Sequence, residues 1–165
     1  MNEFADFRFC STWDGDGEIY SQENKVVWRF KMTGLKQHPA EAGMVRPPIF
    51  VLCDADGKEL AAISREKRLP LARFAVTQNG SQCCTIWQRS IWFTKYEFEL
   101  NNKSNWKLYM PMFSVSGKVV SESGAVIRIQ ARTRREWYVR FGLGVESPLM
   151  IAALAFVVRN KLQCT

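Results

Sequence analysis

Six cations fall between positions 118 and 140 of the chain: Lys118, Arg128, Arg132, Arg134, Arg135 and Arg140. Ammonium and guanidinium groups held close together bind anions, phosphate and carboxylate above all, through charge-assisted hydrogen bonds. The 165 residues carry a formal charge of +7. That balance favours anionic partners: acidic lipid headgroups, nucleic acid or acidic proteins.

Catalytic chemistry has much less to stand on. His38 is the only histidine and precedes Pro39. A Ser-His-Asp triad or a His-based metal cluster would hang on that residue alone. Asp14, Asp16 and Glu18 fail as a calcium loop. Ile19 stands where the turn needs Gly, and Lys25 stands where the bidentate Glu belongs. Asp54 and Asp56 fail similarly, with Lys58 at the fifth position. Cys83 and Cys84 are neighbours in a candidate strand, so they point to opposite faces and cannot share a metal. No Gly-rich phosphate loop is present, and Gly142-Leu-Gly144 reads as the release from a last strand. No catalytic residue, metal site or cofactor is expected.

The elements that carry the six cations decide whether they meet. Most of the chain alternates with period two, the pattern of strands with one buried face. In Trp92–Leu100, Trp92, Thr94, Tyr96, Phe98 and Leu100 take one face, while Phe93, Lys95, Glu97 and Glu99 take the other. Phe4–Cys10, Glu18–Ser21, Val26–Lys31, Ile49–Cys53, Leu60–Ser64, Leu71–Gln78, Gln82–Gln88 and Trp106–Met110 are further strands. Turn chemistry separates them at Asp14-Gly-Asp-Gly17, Asp54-Ala-Asp-Gly57, Asn79-Gly80 and Asn101-Asn102. The stretch from Leu35 to Pro48 reads as one long irregular loop. Arg65-Glu66-Lys67-Arg68 reads as a solvated turn on a second loop.

Between Phe113 and Phe141 two registers check each other. A three-residue loop Glu122-Ser123-Gly124, with Gly124 left-handed, sets Ser121 opposite Ala125, Val119 opposite Ile127, Gly117 opposite Ile129 and Val115 opposite Ala131. A turn at Thr133-Arg134-Arg135 sets Ala131 opposite Trp137, Ile129 opposite Val139 and Ile127 opposite Phe141. Both registers put the same residues inside, and a slip of one residue would mix apolar and charged side chains on one face. On the outer face Lys118 then lies opposite Arg128, and Arg128 opposite Arg140. Arg132 pairs with Glu136, and Arg134 and Arg135 sit at the turn. Like charges directly opposite destabilise a sheet, so this row suits an anion lying across it.

The C-terminal pattern is helical. Ser147 is placed as an N-cap and Pro148 at the first helical position. Leu149 to Val158 is an unbroken apolar run. Arg159, Asn160 and Lys161 are expected to end it, where the helix dipole prefers positive charge. At about 1.5 Å per residue the run is half the thickness of a bilayer core. Being apolar all round, it has no face for water. A closed or nearly closed antiparallel sheet is the simplest surrounding, so a β-barrel enclosing the helix is expected, as one domain over residues 1–165.

Two stretches carry a family likeness. They are Ile49-Phe-Val-Leu-Cys-Asp-Ala-Asp-Gly-Lys-Glu-Leu-Ala-Ala-Ile63 and Ser147-Pro-Leu-Met-Ile-Ala-Ala-Leu-Ala-Phe-Val-Val158. The first is a strand-DxxG-strand hairpin, with Tyr20 to Arg29 as a weaker copy; the second is the terminal apolar helix. Together they resemble the tubby C-terminal-like superfamily. The Pro-rich arm and clustered palmitoylated cysteines of scramblases are missing, so the likeness is to its LURP-one-related or scramblase-like branch. The resemblance implies about twelve strands around the helix, and a non-enzymatic module that binds acidic phospholipid headgroups such as phosphoinositides. The family's own lipid-binding residues do not carry over one by one; the like-charge row and its turn place the site at Lys118, Arg128, Arg132, Arg134, Arg135 and Arg140. The alternatives are a structural or protein-interaction domain, or a scramblase-like membrane activity. Binding of single-stranded nucleic acid needs exposed aromatics interleaved with Arg. Only Phe93 and Tyr138 point outward in this alternation, which ranks nucleic acid below lipid. The N-terminus lacks a basic start followed by an apolar stretch. A cytoplasmic monomer, peripheral at a membrane, is the expectation.

Overall fold

The computed structural model describes residues 4–12, 16–32, 48–67, 70–90, 94–101, 105–111, 115–142 and 147–163, with Lys67 and residues 159–163 described by their backbone. The strands are β1 Phe4–Ser11, β2 Gly17–Tyr20, β3 Val26–Met32, β4 Phe50–Asp54, β5 Glu59–Lys67 and β6 Arg73–Gln78. They continue as β7 Ser81–Gln88, β8 Thr94–Leu100, β9 Asn105–Met110, β10 Ser116–Ser121, β11 Val126–Ala131 and β12 Glu136–Gly142. Among the described residues one helix, α1, spans Pro148–Gln163. Each strand pairs antiparallel with the next, and β12 returns to pair with β1, closing a twelve-stranded barrel.

The hairpin turns follow from their residues. Three share one geometry. Ser21, Asp54 and Ser121 each donate a backbone N–H to the carbonyl four residues on, at 2.9 Å. The third residue of each loop, Asn24, Gly57 or Gly124, donates back to the carbonyl of that first residue. Each of the three has a positive φ, +60°, +91° and +87°. This is the three-residue hairpin loop whose last position is left-handed. The Tyr20–Arg29 segment is therefore a geometric copy of the Asp54–Gly57 hairpin, with Asn in place of Gly. In the Asp54 loop the side chain adds two more bonds, accepting from the backbone N–H of Asp56 and Lys58. The Thr133–Arg135 turn has no such residue. There the Thr133 hydroxyl accepts the Arg135 N–H at 3.2 Å.

Alternation along the strands builds one core. Phe9, Ile19, Phe30, Phe50, Leu52, Ile63, Ile86, Phe98, Trp137 and Phe141 are excluded from solvent. The helix fills what they enclose. Ser147 caps it, its Oγ accepting the Met150 N–H at 3.3 Å. Every residue from Leu149 to Val158 is buried, and from Ile151 onward none touches water. Phe156 sits edge-on to Phe50 and Phe74, with centroids 5.7 and 4.8 Å away. The apolar run is thus enclosed by sheet, as a helix without a polar face requires.

Four expectations change. The helix does not stop at Arg159 but runs to Gln163; no Gly or Pro intervenes, so no residue type there breaks the backbone pattern. Arg65, Glu66 and Lys67 belong to β5, not to a loop. Their strand continues because Arg65 lies opposite Phe74 and Lys67 opposite Arg73, across a bulge. The third change concerns aromatics. Tyr109 and Phe4 are also exposed, at 42% and 49%; Tyr109 follows the alternation of β9, and Phe4 stands at the free end of β1. The fourth, at Arg140, belongs to the site below. Trp92, Phe93, Arg68 and most of the Leu35–Pro48 loop lie outside the described residues.

Candidate anion-binding groove

The outer face of β9, β10, β11, β12 and β1 carries one lateral row in strict register. Tyr109 lies opposite Lys118, Lys118 opposite Arg128, Arg128 opposite Arg140, and Arg140 opposite Asp6. Neighbouring strands are about 4.8 Å apart, so three cations stand side by side along the sheet. A groove of about 850 Å³ runs over this face, lined by Asp6, Tyr109, Lys118, Arg128, Tyr138 and Arg140 among others.

The cations are not equivalent. Arg140 grips Asp6 with both arms of its fork, Nε to Oδ1 at 2.7 Å and a terminal nitrogen to Oδ2 at 2.8 Å. This bidentate bond holds the Asp6 carboxyl below its ordinary range against a smaller opposing effect of burial. The like-charge row therefore already has an anion at one end, contrary to the reading of three uncompensated cations. The reason is barrel closure, which brings β1 beside β12. Lys118 and Arg128 are exposed, and among the described residues no ion pair or hydrogen bond engages either charge.

The other three arginines lie elsewhere. Arg132, Arg134 and Arg135 sit at the β11–β12 turn and do not line the groove. Arg132 approaches Glu136 at 3.9 Å. Its guanidinium is held protonated more firmly than usual, first by a hydrogen bond with Tyr138 and then by the Glu136 charge.

Two features of the groove come from outside the six cations. Asp6 supplies a carboxylate, and Tyr109 an exposed ring with the Lys95 ammonium 5.4 Å from its centroid. Tyr138, 39% exposed, faces the same space. A smaller depression of about 400 Å³ lies beside Cys10, Asp16, Glu18, Tyr20 and Arg29. Glu18 and Arg29 are engaged within it. Glu18 accepts from Tyr20 at 2.6 Å and pairs with Arg29 at 3.3 Å. The Cys10 thiol there is pushed up chiefly by burial. Cys84, inside the barrel, is pushed up to about 12, again mainly by burial, which leaves it an inert core thiol. No group of three or more His, Cys, Asp or Glu among the described residues is arranged to hold a metal ion. No helix among them is long and apolar enough to cross a membrane.

No protein-family model matches the chain, and no curated protein matches it. Among solved structures it is similar to the X-ray structure of a protein from Arabidopsis thaliana, with 14% identity and a TM-score of 0.63 over 97% of this chain and 91% of that one. The likeness is one of fold.

Proposed function

We propose that this chain is a non-enzymatic binding module for acidic phospholipid headgroups, phosphoinositides among them, and a member of the tubby C-terminal-like superfamily. One observation carries the reading. Lys118 and Arg128 stand directly opposite each other in the groove with no partner charge among the described residues. Two facing cations repel unless an anion bridges them, and a phosphate group has the charge and acceptors to do so. The hairpin and buried terminal helix support the family reading. The protein would act peripherally, on the cytoplasmic side of a membrane, as a monomer. A scramblase-like activity fits less well. It would require α1 to leave the barrel, exposing a run of large side chains that each stabilise the fold by about 1.5–3 kcal/mol.

Vesicle flotation tests the proposal. The chain should float with phosphatidylcholine vesicles that contain a phosphoinositide and not with neutral ones. Lys118→Glu with Arg128→Glu should abolish the difference. Equal recovery on both vesicle types would end the lipid reading. A protein-interaction domain is the second reading, favoured by the exposed side chains Phe4, Tyr109, Val126 and Tyr138. Partner capture that survives the charge reversal would speak for it.

A further inference from the structure

We infer that Asp6 sets the specificity of the groove, limiting its ligand to a lipid headgroup with a single phosphomonoester. The inference rests on the lipid-binding reading above and adds the number of phosphates. Along the row the formal charges are Lys118 positive, Arg128 positive, Arg140 positive and Asp6 negative, all lining one groove. Asp6 cancels Arg140, so two positive charges are left for a ligand. A phosphomonoester carries about −1.5 to −2 at neutral pH and neutralises that pair.

Geometry places the limit. Lys118 and Arg128 are one strand spacing apart, close enough for one phosphate to bridge both. A second phosphate farther along the row would arrive at Arg140, whose Nε–Nη2 edge is taken by the two Asp6 oxygens at 2.7 and 2.8 Å and whose charge they offset. It would meet a carboxylate instead of a free guanidinium. Arg140 keeps Asp6 ionised, as the lowered carboxyl pKa indicates. In the other direction the row continues into Tyr109, whose ring has the Lys95 ammonium 5.4 Å from its centroid.

The occupant is a lipid rather than free phosphate because of what flanks the cations. Tyr109, Tyr138 and Val126 line the groove and are 42%, 39% and 37% exposed. Phe4, 49% exposed, has the Arg140 guanidinium 5.6 Å from its ring centroid. Aromatic and apolar side chains beside cations suit the membrane–water interface.

The test uses the full chain and phosphatidylcholine vesicles matched for total headgroup charge. They carry a lipid with a phosphodiester alone, with one phosphomonoester, or with two. The natural chain should prefer one phosphomonoester over two by about two- to fivefold, the worth of one exposed ion pair. Asp6→Asn should erase or reverse that preference. Asp6→Glu, which keeps the charge, should retain it and serves as well if Asp6→Asn does not melt cooperatively. A natural chain that favours two phosphates, or an Asp6→Asn chain that keeps the original preference, overturns the inference. So does displacement by a soluble inositol monophosphate at concentrations equal to the lipid. Equal binding to one and two phosphates, together with loss in the Lys118→Glu, Arg128→Glu chain, removes the inference alone. Unchanged binding in that double variant removes the lipid reading as well.

Discussion

Two lateral rows cross the outside of the same barrel and treat positive charge in opposite ways. The first runs over β6 to β9: Arg73 opposite Trp87, Trp87 opposite Glu97, Glu97 opposite Lys107. An aromatic ring and a carboxylate separate its cations. Trp87 has two guanidinium groups over its ring, those of Arg73 and Arg89, each 5.1 Å from its centroid. Its indole N–H donates to Glu99 at 3.1 Å. Arg89 pairs with Glu97 at 2.9 Å, and Arg73 Nε stands 2.7 Å from Glu66, an ion pair without hydrogen-bond alignment. The second row, over β9 to β1, puts Lys118, Arg128 and Arg140 in succession and gives a carboxylate only to the last. The order of residues along a row therefore decides what its cations do. Alternating partners spend their charge on the fold, while an uninterrupted run leaves charge for a ligand.

The rows can be pulled apart by substitution. The largest effect should fall on both together. Phe156→Ala removes the ring packed between Phe50 and Phe74 and should lower stability by about 3–5 kcal/mol, read from urea denaturation. A change that left either face intact would mean the rows do not share one interior. Next comes Trp87→Ala, which strips two cation–π contacts and a hydrogen bond. It should cost about 1–2 kcal/mol without altering vesicle flotation. Reduced flotation would blur the distinction between the rows.

Lys118→Gln with Arg128→Gln should do the converse. Relief of facing like charges should raise stability by about 0.2–1 kcal/mol, while acidic-vesicle binding falls to the level of neutral vesicles. The smallest effect belongs to Asp6. Its folded pKa lies below its unfolded value, so the ion pair stabilises the fold above the unfolded value of about 3.9 and loses this as pH falls through the folded pKa. Thermal melts should show Asp6→Asn slightly less stable than the natural chain at neutral pH, with the gap closing in acid. A gap that widened in acid would mean that Asp6 is not held ionised by Arg140.

Much of this was legible in the residues. The β10–β11–β12 register could be read because two turns, one of them fixed by Gly124, had to agree on a single inner face. The enclosure of α1 followed from an apolar run with no polar stripe. Tyr109 was within reach too, since the alternation Trp106-Lys107-Leu108-Tyr109-Met110 puts Lys107 and Tyr109 on the outside. Asp6 was not. It meets Arg140 across 134 residues, and nothing local reports that the first and last strands are neighbours. The charged end of β5 escaped notice for a related reason. Its strand character comes from cross-strand partners on β6, which a local reading of Arg65-Glu66-Lys67 does not contain.

The order of strands around the barrel is the order in which a ribosome makes them, and the filling comes after the last. Each pairing but the β1–β12 seam joins consecutive segments, so hairpins can form as they emerge. The seam and α1 cannot. Until residues 148–158 are released, Phe9, Phe30, Phe50, Phe98 and Trp137 line a wall that has nothing to lie against. A nascent chain paused short of that point would offer its whole apolar lining to chaperones or to its neighbours. Synthesis rate over the final segment would then govern the yield of native protein.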